Sequence, residues 1–466
     1  MASWVIHLAL LLCIPSQQVL GAEHHTISVQ SLLSGSICSS SSPAGPATPT
    51  SRPGAGRTLH IIRRACQEKT GEHMTASDHY TALLRRDQYR VQSIHRRLAG
   101  AKSTSTIPAH LGLPFHTDEY VVTVGVGTPP QNLTVLFDTG SDLTWVQCTP
   151  CSDACYPQEE PLFNRSNSKT YRDIPCDSPS CDIGGGQETS CGSSTCAYNV
   201  QYGDQSQTWG DLANETVTLS PASPPAANVV FGCSQRTSGF KEIGTKVAGL
   251  LGLGRGDSSI LSQTGPVSVF SYCLPPRVSS TGYLTIGAAP QGNFTYTPLR
   301  TMNPQLSSMY AVDLVGVSVN GAAIPIPAGA FAPGATIIDS GTVLTHMPAE
   351  AYGPLRDEFR RHMGRYKMLP PGAVVDFLDT CYDVTGQDVL TVPRVGLEFG
   401  SGGAIDVDAS GILVVAGAKG EAVACLAFVP IQSAGLVIVG NMQQRAYNVV
   451  FDVAGGRVGF GANGCN

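Results

Sequence analysis

Short apolar runs separated by turn residues dominate the chain from about His116 to its C-terminus. The runs are rich in Val, Ile, Leu, Tyr and Phe and are bounded by Gly, Pro, Asn and Asp, as in YVVTVGVGTPP and NVVFGC. Such runs are typical of β-strands. Helical periodicity is scarce here, and the best helix candidate is 349–363. The pattern predicts a mainly β body with a few short helices.

The first 105 residues follow a different pattern. Residues 1–22 contain no Asp, Glu, Lys or Arg, and their apolar run is too short for a membrane span, which is typical of a secretory signal peptide. Residues 34–57 are rich in Ser, Pro, Gly and Ala and predict a flexible link. Residues 77–100 combine helical spacing of apolar side chains with several Arg, which predicts a basic amphipathic helix.

The two halves of the body repeat one arrangement. An apolar strand beginning at Tyr120 leads into VLFDTGSDLTWV, and one beginning at Tyr310 leads into TIIDSGTVLTHMP. Later in each half an apolar strand ends in Gly, as AGLLGLG at 248–254 and GLVIVGN at 435–441. The repeat predicts two similar lobes that face each other.

Each half carries an acidic turn after an apolar strand, at Asp138 and at Asp339. One such turn is weak evidence, because Asp and Gly favour turns for backbone reasons. Two copies in a repeated frame predict paired carboxylates that share one proton, so that one activates a water while the other donates to a carbonyl. Gly140 and Gly341 let the loops meet closely. Four hydroxyls are available to hold the carboxylates: those of Thr139, Ser141, Ser340 and Thr342.

Composition and charge narrow the class of protein. The chain has 466 residues, 14% charged, with 51 Gly and 32 Pro, which excludes a coiled coil, a long helical bundle and a highly charged disordered chain. Residues 23–105 hold 11 Lys and Arg against 5 Asp and Glu, whereas residues 106–466 hold 18 against 30. A basic leader therefore precedes an acidic body, and the acidic body argues against nucleic-acid binding.

The number of cysteines bears on the cellular compartment in which the chain folds. Of 15 Cys, twelve form an even set downstream of the leader, and seven of these lie between 148 and 196. Cys148 and Cys151 have the spacing of zinc ligands, so a zinc site is the alternative to disulfides. Behind a signal peptide disulfides are favoured, and we expect neither a metal nor a cofactor.

These motifs resemble the pepsin-like (A1) aspartic proteases, and among them the nepenthesin-type plant branch, over residues 118–466. The similar strings include FDTGSDLTWVQCTPC, IDSGTVLTHMP and VGNMQQRAYNVVFDVAGGRVGF. The resemblance implies a mainly β, bilobal fold with Asp138 and Asp339 as catalytic residues in the cleft between the lobes. QYGDQSQTWGDLANET resembles the family's flap, in which Tyr202 would meet the indole of Trp145. Gln205 departs from the family pattern, which has Gly there.

The resemblance also implies an organisation for the whole chain: a signal peptide at 1–22, a propeptide at 23–107, an N-terminal lobe at 118–290 with a Cys-rich insertion at 148–196, and a C-terminal lobe at 291–466. It further implies six bridges: Cys148 with Cys151, Cys155 with Cys233, Cys176 with Cys196, Cys181 with Cys191, Cys273 with Cys465, and Cys381 with Cys425.

The expected function is a secreted aspartic endopeptidase, made as a zymogen and acting on polypeptides at acidic pH. We expect a monomer without a membrane anchor in the apoplast, with the vacuole as the alternative location. The alternative function is a catalytically silent inhibitor or binding protein on the same fold, like the xylanase inhibitors. Both Asp residues, both glycines and Tyr202 are present, and this favours the enzyme.

Other candidate positions are less specific. Four sequons are candidate glycosylation sites, at Asn132, Asn164, Asn214 and Asn293. His346 follows the second acidic motif, and a structural role in the second lobe is favoured for it over a catalytic one.

Overall fold

The computed structural model describes three parts of the chain. These are residues 24–28, 57–63 and 119–465, apart from gaps at 152–154, 183–187, 193, 220–224, 241–245, 265–266, 268, 277–281, 302–305, 375, 417–420 and 433–434. The predicted signal peptide and the predicted basic helix lie outside the described residues. The predicted link lies outside them too, except for Arg57.

The described residues form a mainly β structure, as the pattern of apolar runs predicts. The strands up to residue 298 are β1 His24–Ser28, β2 Arg57–Arg63, β3 Tyr120–Val126, β4 Gln131–Asp138, β5 Trp145–Gln147, β6 Arg172–Asp173, β7 Glu188–Gly192, β8 Thr195–Gln201, β9 Gln207–Thr218, β10 Ala226–Ser238, β11 Gly249–Gly252, β12 Val269–Cys273, β13 Gly282–Ile286 and β14 Thr295–Pro298. The later strands are β15 Ala311–Val312, β16 Leu314–Val319, β17 Ala322–Ala323, β18 Phe331–Ile338, β19 Thr345–Pro348, β20 Lys367–Met368, β21 Cys381–Asp383, β22 Val389–Pro393, β23 Val395–Phe399, β24 Ala404–Asp406, β25 Leu413–Ala416, β26 Val423–Leu426, β27 Phe428–Ile431, β28 Gly435–Val439, β29 Asn448–Asp452 and β30 Arg457–Gly461.

The largest sheet joins the two halves of the chain. Its strand order is β14, β30, β29, β12, β13, β2, β3, β4, β11, β5, β10, β9, β8 and β7, with β6 beside β9. The second half also forms sheets in the orders β15-β18-β28-β19-β27, β17-β16-β23-β24 and β20-β21-β26-β25. Every residue of β28 is buried, and β28 lies between two neighbouring strands, as expected for a continuous apolar run in the middle of a sheet.

Two strands come from the leader. β1 pairs antiparallel with β22, and β2 fills the position between β13 and β3 in the largest sheet. The sequence pattern did not predict these strands, because the leader lacks the regular succession of apolar runs and turns that marks the body. Two short segments of the leader, 24–28 and 57–63, are therefore built into the sheets of the described structure.

Within the described parts of the chain, helices are few and short. They are α1 Ile260–Gln263 and α2 Ala349–His362, with 3-10 turns at Arg165–Asn167, Pro179–Cys181, Gly400–Gly402, Ala409–Gly411 and Asn441–Gln444. The predicted helix is confirmed in α2, which buries Tyr352, Leu355 and Phe359 along one face. Its last turn is basic, which suits the negative end of the helix dipole. No helix of the described residues is long and apolar enough to cross a membrane.

All twelve downstream cysteines form disulfides, and four of the six implied pairings are wrong. The structure pairs Cys148 with Cys233, Cys151 with Cys155, Cys176 with Cys191, Cys181 with Cys196, Cys273 with Cys465, and Cys381 with Cys425. The last two pairings are as expected. Cys148 and Cys151 belong to different bridges, so they do not form the alternative zinc site.

Sheet register explains the corrected pairings. β5 lies parallel to β10 with Val146 opposite Cys233, and the Cys148 N–H donates to Ser234 O at 2.8 Å, so Cys148 comes within 5.4 Å of Cys233 between Cα atoms. In the β7–β8 hairpin Cys191 lies opposite Cys196, and each bonds to a cysteine of the preceding segment. Cysteine spacing alone holds no information about which strands are neighbours.

Paired cysteine replacements test this connectivity. Replacing Cys148 and Cys233 together by Ala should lower the free energy of unfolding by about 4–5 kcal/mol, because the bridge closes a long loop, whereas replacing Cys151 and Cys155 should cost only about 2 kcal/mol. The sequence separations are 85 and 4 residues. Denaturant unfolding measures the two losses of free energy, and peptide mapping without reduction identifies which cysteines are paired. A Cys148–Cys151 peptide, or a larger loss for the Cys151 and Cys155 pair, contradicts the assignment.

Candidate active site

The two acidic turns follow equivalent strand pairs. Asp138 is the last residue of β4, and it lies opposite Gly252 of the parallel strand β11. Asp339 directly follows β18, whose Ile338 lies opposite Val439 of the parallel strand β28. The apolar strands that recur late in each half are therefore the direct neighbours of the strands that carry the Asp residues. This places both carboxylates at corresponding ends of two similar units.

The two turns are bonded to each other across the halves. The Thr139 N–H donates to Ser340 Oγ at 3.0 Å, and the Ser340 N–H donates to Thr139 Oγ1 at 2.9 Å. The same hydroxyls donate onward to the strand before the opposite Asp: Thr139 Oγ1 to Ile338 O at 3.2 Å, and Ser340 Oγ to Phe137 O at 3.3 Å. Because the four bonds are reciprocal, the loops form one rigid unit that brings the two Asp residues together.

Each carboxylate is held in the same way. Asp138 accepts from the Gly140 N–H at 2.8 Å and from Ser141 Oγ at 2.6 Å. Asp339 accepts from the Gly341 N–H at 3.0 Å and from Thr342 Oγ1 at 2.6 Å. Both Asp residues are at most 1% exposed. All eight predicted residues of the two turns thus lie in one cluster. Of the four hydroxyls expected to hold the carboxylates, those of Ser141 and Thr342 do so, whereas those of Thr139 and Ser340 link the two turns. The bonds from the Gly140 and Gly341 N–H groups were not expected from the sequence pattern.

The predicted flap pair is also in contact. The Trp145 indole N–H donates to the Tyr202 hydroxyl at 2.6 Å, and both rings are buried against Phe240. β5 carries Trp145 a few residues after the first acidic turn. The hydrogen bond and the ring contacts fix the direction of the Tyr202 side chain next to that turn.

Gln205 lies in the turn that follows Tyr202. Its N–H donates to Tyr202 O at 3.0 Å, and its φ of 68° falls in the left-handed region that favours glycine. This explains why the resembling family has Gly at this position. The Gln205 backbone adopts the same left-handed conformation at a cost of about 1 kcal/mol, and its side chain is exposed.

The remaining predicted positions are the four sequons and His346. Asn132 and Asn293 are exposed, while Asn164 and Asn214 are partly buried. Asn164 accepts a hydrogen bond from the Ser166 N–H at 3.0 Å and caps a 3-10 turn. His346 is buried in β19, with its backbone opposite Ile438.

The side-chain amides that support Asp339 were not expected from the sequence pattern. Gln444 Nε2 donates to Asp339 O at 3.1 Å and to Val439 O at 2.9 Å, and Asn441 Nδ2 donates to Ser340 O at 3.2 Å. Both amide side chains are buried. The signal was present in the string GNMQQ, where polar residues directly follow an apolar strand.

Asp142 was missed as well. It is 1% exposed, and burial raises the pKa of its carboxyl from 3.8 to about 6. Hydrogen bonds from the Gly256 N–H and from Ser308 oppose this rise, while the charges of Asp138 and Asp257 add to it. A second Asp in a polar turn gives no sequence signal of burial, because such residues are ordinarily exposed. Among the described residues no group of three or more His, Cys, Asp or Glu is placed to hold a metal ion.

Comparison with known proteins agrees with this geometry. The family model described as xylanase inhibitor N-terminal matches residues 120–288, and the one described as xylanase inhibitor C-terminal matches residues 309–462. An aspartyl protease family protein of Arabidopsis thaliana is 41% identical over 97% of this chain and 96% of its own length. Aspartic proteinase nepenthesin-2 of Nepenthes gracilis is 32% identical over 90% of this chain and 95% of its own length.

Solved structures show a similar fold at low sequence identity. Conglutin gamma, a basic 7S globulin from lupine seeds, superposes with a TM-score of 0.58 at 20% identity, covering 74% of this chain and 92% of the globulin. Basic 7S globulin from soybean gives a TM-score of 0.56 at 21% identity over 74% and 93% of the two chains. These likenesses bear on the fold alone.

Proposed function

Because this chain belongs to the plant branch of the pepsin-like (A1) aspartic protease family, we propose that it is an aspartic endopeptidase that cleaves polypeptides at acidic pH. The observation that carries the proposal is the reciprocal bonding of the two acidic turns through Thr139 and Ser340. It supports Asp138 and Asp339 as the catalytic pair.

The proposed reaction needs no cofactor. Two carboxylates held close together cannot both ionise easily, so the pair keeps one proton. The ionised carboxylate removes a proton from a water, which attacks the peptide carbonyl, and the protonated one donates to the carbonyl oxygen. The carboxyl that took the proton from water then donates it to the amine nitrogen, and the C–N bond breaks as the other carboxylate takes a proton from the diol, so the pair again holds one proton. The hydrogen bonds from Ser141 and Thr342 keep one oxygen of each carboxylate in place during these transfers.

The Tyr202 turn is proposed to close over the bound substrate. It is a two-stranded extension between β8 and β9, and the Trp145 indole holds its tyrosine. Closure would exclude water from the peptide bond apart from the attacking one, which strengthens the polar interactions inside the cleft.

We also propose that the chain is made as a secreted precursor, with a signal peptide at 1–22 and a propeptide at 23–107. The six disulfides support folding in the secretory pathway. The pairing of β1 and β2 with strands of the body supports a leader that folds together with the enzyme. The apoplast is the proposed destination, and the chain is proposed to act as a monomer.

A silent binding protein is the second candidate. It is favoured by the descriptions of the two matching family models and by the globulin structures of similar fold. Xylanase inhibition would identify this function.

A peptidase assay at acidic pH separates the two candidate functions. We expect the processed protein to digest denatured haemoglobin at acidic pH, and a statine-type inhibitor to block it. Activity should fade as pH rises towards neutrality, because the pair loses its shared proton and with it the group that protonates the carbonyl. Release of soluble peptides across the pH range measures this. A rate that peaks above neutral pH and ignores the inhibitor contradicts the mechanism, and absence of peptidase activity with inhibition of a xylanase favours the second candidate.

A further inference from the structure

A buried carboxyl group lies directly beside the candidate active site without a place in the proposed reaction. Asp142 follows Ser141, whose hydroxyl holds Asp138, and it is 1% exposed. Its Oδ1 accepts the Gly256 N–H at 2.8 Å, and its carboxyl also bonds to the Ser308 hydroxyl. The group therefore joins three segments: the first acidic turn, the loop after β11 and the segment that leads into β15.

The surrounding backbone is shaped to admit this side chain. A Cβ on Gly254 would come within 2.2 Å of Asp142 Oδ1, and one on Gly256 would come within 2.6 Å of Oδ2. Both approaches are closer than non-bonded atoms allow, so the glycines of the loop are required by the carboxyl group.

The same loop is bonded to the acidic turn along its backbone. The Leu253 N–H donates to Asp138 O and the Gly254 N–H donates to Ser141 O, both at 2.8 Å. The Arg255 N–H donates to Ser308 O at 2.9 Å, and the Tyr310 hydroxyl donates to Leu253 O at 2.8 Å. A displacement of the Asp142 carboxyl is therefore transmitted through this loop to the turn that carries the Asp138 carboxylate.

We propose that Asp142 is a positioning residue of the acidic pair: it fixes the turn that carries Asp138, and its negative charge, once formed, keeps the shared proton on the pair at higher pH. This rests on the proposed peptidase function. Among the described residues, its charged and titratable neighbours are Asp138, Asp257 and Tyr310, and Arg255 acts on Tyr310. Asp257 and Arg255 are exposed, so water screens their charges.

The direction of the pH effect follows from burial. Burial raises the pKa of Asp142 to about 6, so the group is neutral in acid and becomes negative as pH approaches neutrality. A new negative charge near Asp138 makes loss of the last proton from the Asp138–Asp339 pair less favourable. The wild-type enzyme should thus keep activity to a higher pH than a variant in which this position cannot ionise.

Asp142→Asn tests the charge while it keeps an acceptor for the Gly256 N–H. We expect the alkaline side of its kcat/KM profile on a peptide substrate to move to lower pH by on the order of half a unit, with little change in acid. Asp142→Ala loses the acceptor as well and should lower kcat at every pH. Asp257→Asn is the matched control, because it removes an exposed charge nearby and should move the profile much less.

A second variant tests the proposal independently if Asp142→Asn does not fold. Ser308→Ala removes a hydrogen bond that favours the ionised Asp142, so it should move the alkaline side in the same direction by a smaller amount. Profiles of the Asp142→Asn and wild-type enzymes that coincide after normalisation, with Asp142→Ala reduced equally at all pH values, overturn the proposal.

Thermal unfolding separates this inference from the peptidase proposal. The folded-state pKa of Asp142 is above its unfolded value of 3.8, so its contribution to stability is full below that value and is lost as pH rises through about 6. The melting temperature of Asp142→Asn relative to wild type should therefore rise by about 3 °C between pH 4 and pH 7. An inactive wild type overturns the peptidase proposal while this measurement still tests the buried carboxyl, and a constant difference in melting temperature overturns its ionisation near pH 6.

Discussion

Asp138→Asn and Asp339→Asn are each expected to lower kcat by about 10³-fold or more while leaving the fold intact. Asn has nearly the same volume as Asp, and its oxygen still accepts the Gly140 or Gly341 N–H that the carboxylate accepts in the structure. It cannot share a proton with the opposite carboxylate, so neither water activation nor carbonyl protonation is complete. Because the two turns are equivalent, the two variants should be affected alike.

The measurement is initial rate on a peptide substrate at acidic pH, with secreted yield and circular dichroism as checks of folding. Asp173→Asn is a matched control, since Asp173 is an exposed carboxylate of β6 near Arg165. It should retain wild-type activity. A properly folded Asp138→Asn or Asp339→Asn enzyme with more than about a tenth of the wild-type rate contradicts the assignment of the pair, because loss of a general acid or base costs at least about 10²-fold.

The acidic cluster could be predicted from the sequence because its information is local and repeated. Each Asp is followed within three residues by the glycine and the hydroxyl that bond to its carboxylate. The repeat of strand, turn and later apolar strand added the pairing of the two halves. α2 was predictable for a similar reason, since its apolar face recurs at helical spacing over 14 residues.

The features that were missed depend on neighbours far apart in the chain. Cys148 is bonded to Cys233 because β5 and β10 lie side by side, and Asp142 is buried because the loop around Gly256 closes over it. Neither neighbour is visible from the spacing of residues. β2 has its place because a gap between β13 and β3 accepts one more strand, which is a property of the assembled sheet.

The precursor should fail to accumulate when β2 cannot pair. β2 has five residues in register with β13 and two with β3, so it is a central strand of the sheet that joins the halves. Proline removes a backbone N–H and is excluded from central strands. We expect the double variant His60→Pro and Ile61→Pro, which affects N–H groups on both sides of the strand, to lower the secreted yield at least about tenfold, because a loss of about 3 kcal/mol or more is comparable to the net stability of many domains.

The other leader strand provides the matched comparison for this result. β1 pairs only with β22 in a two-stranded sheet, so Thr26→Pro with Ile27→Pro disturbs one edge and leaves the sheet that joins the halves complete. Its yield should stay within about twofold of wild type, since edge strands tolerate proline.

Quantitative immunoblots of culture medium and cell extract measure both variants. Normal secretion of the β2 variant would show that the body folds without β2, and equally low yields for the two double variants would show that the loss is not specific to the sheet that joins the halves. A selective loss for the β2 variant would make the leader a structural part of the folding enzyme, because the body then needs a strand that its own residues from 119 onwards do not supply.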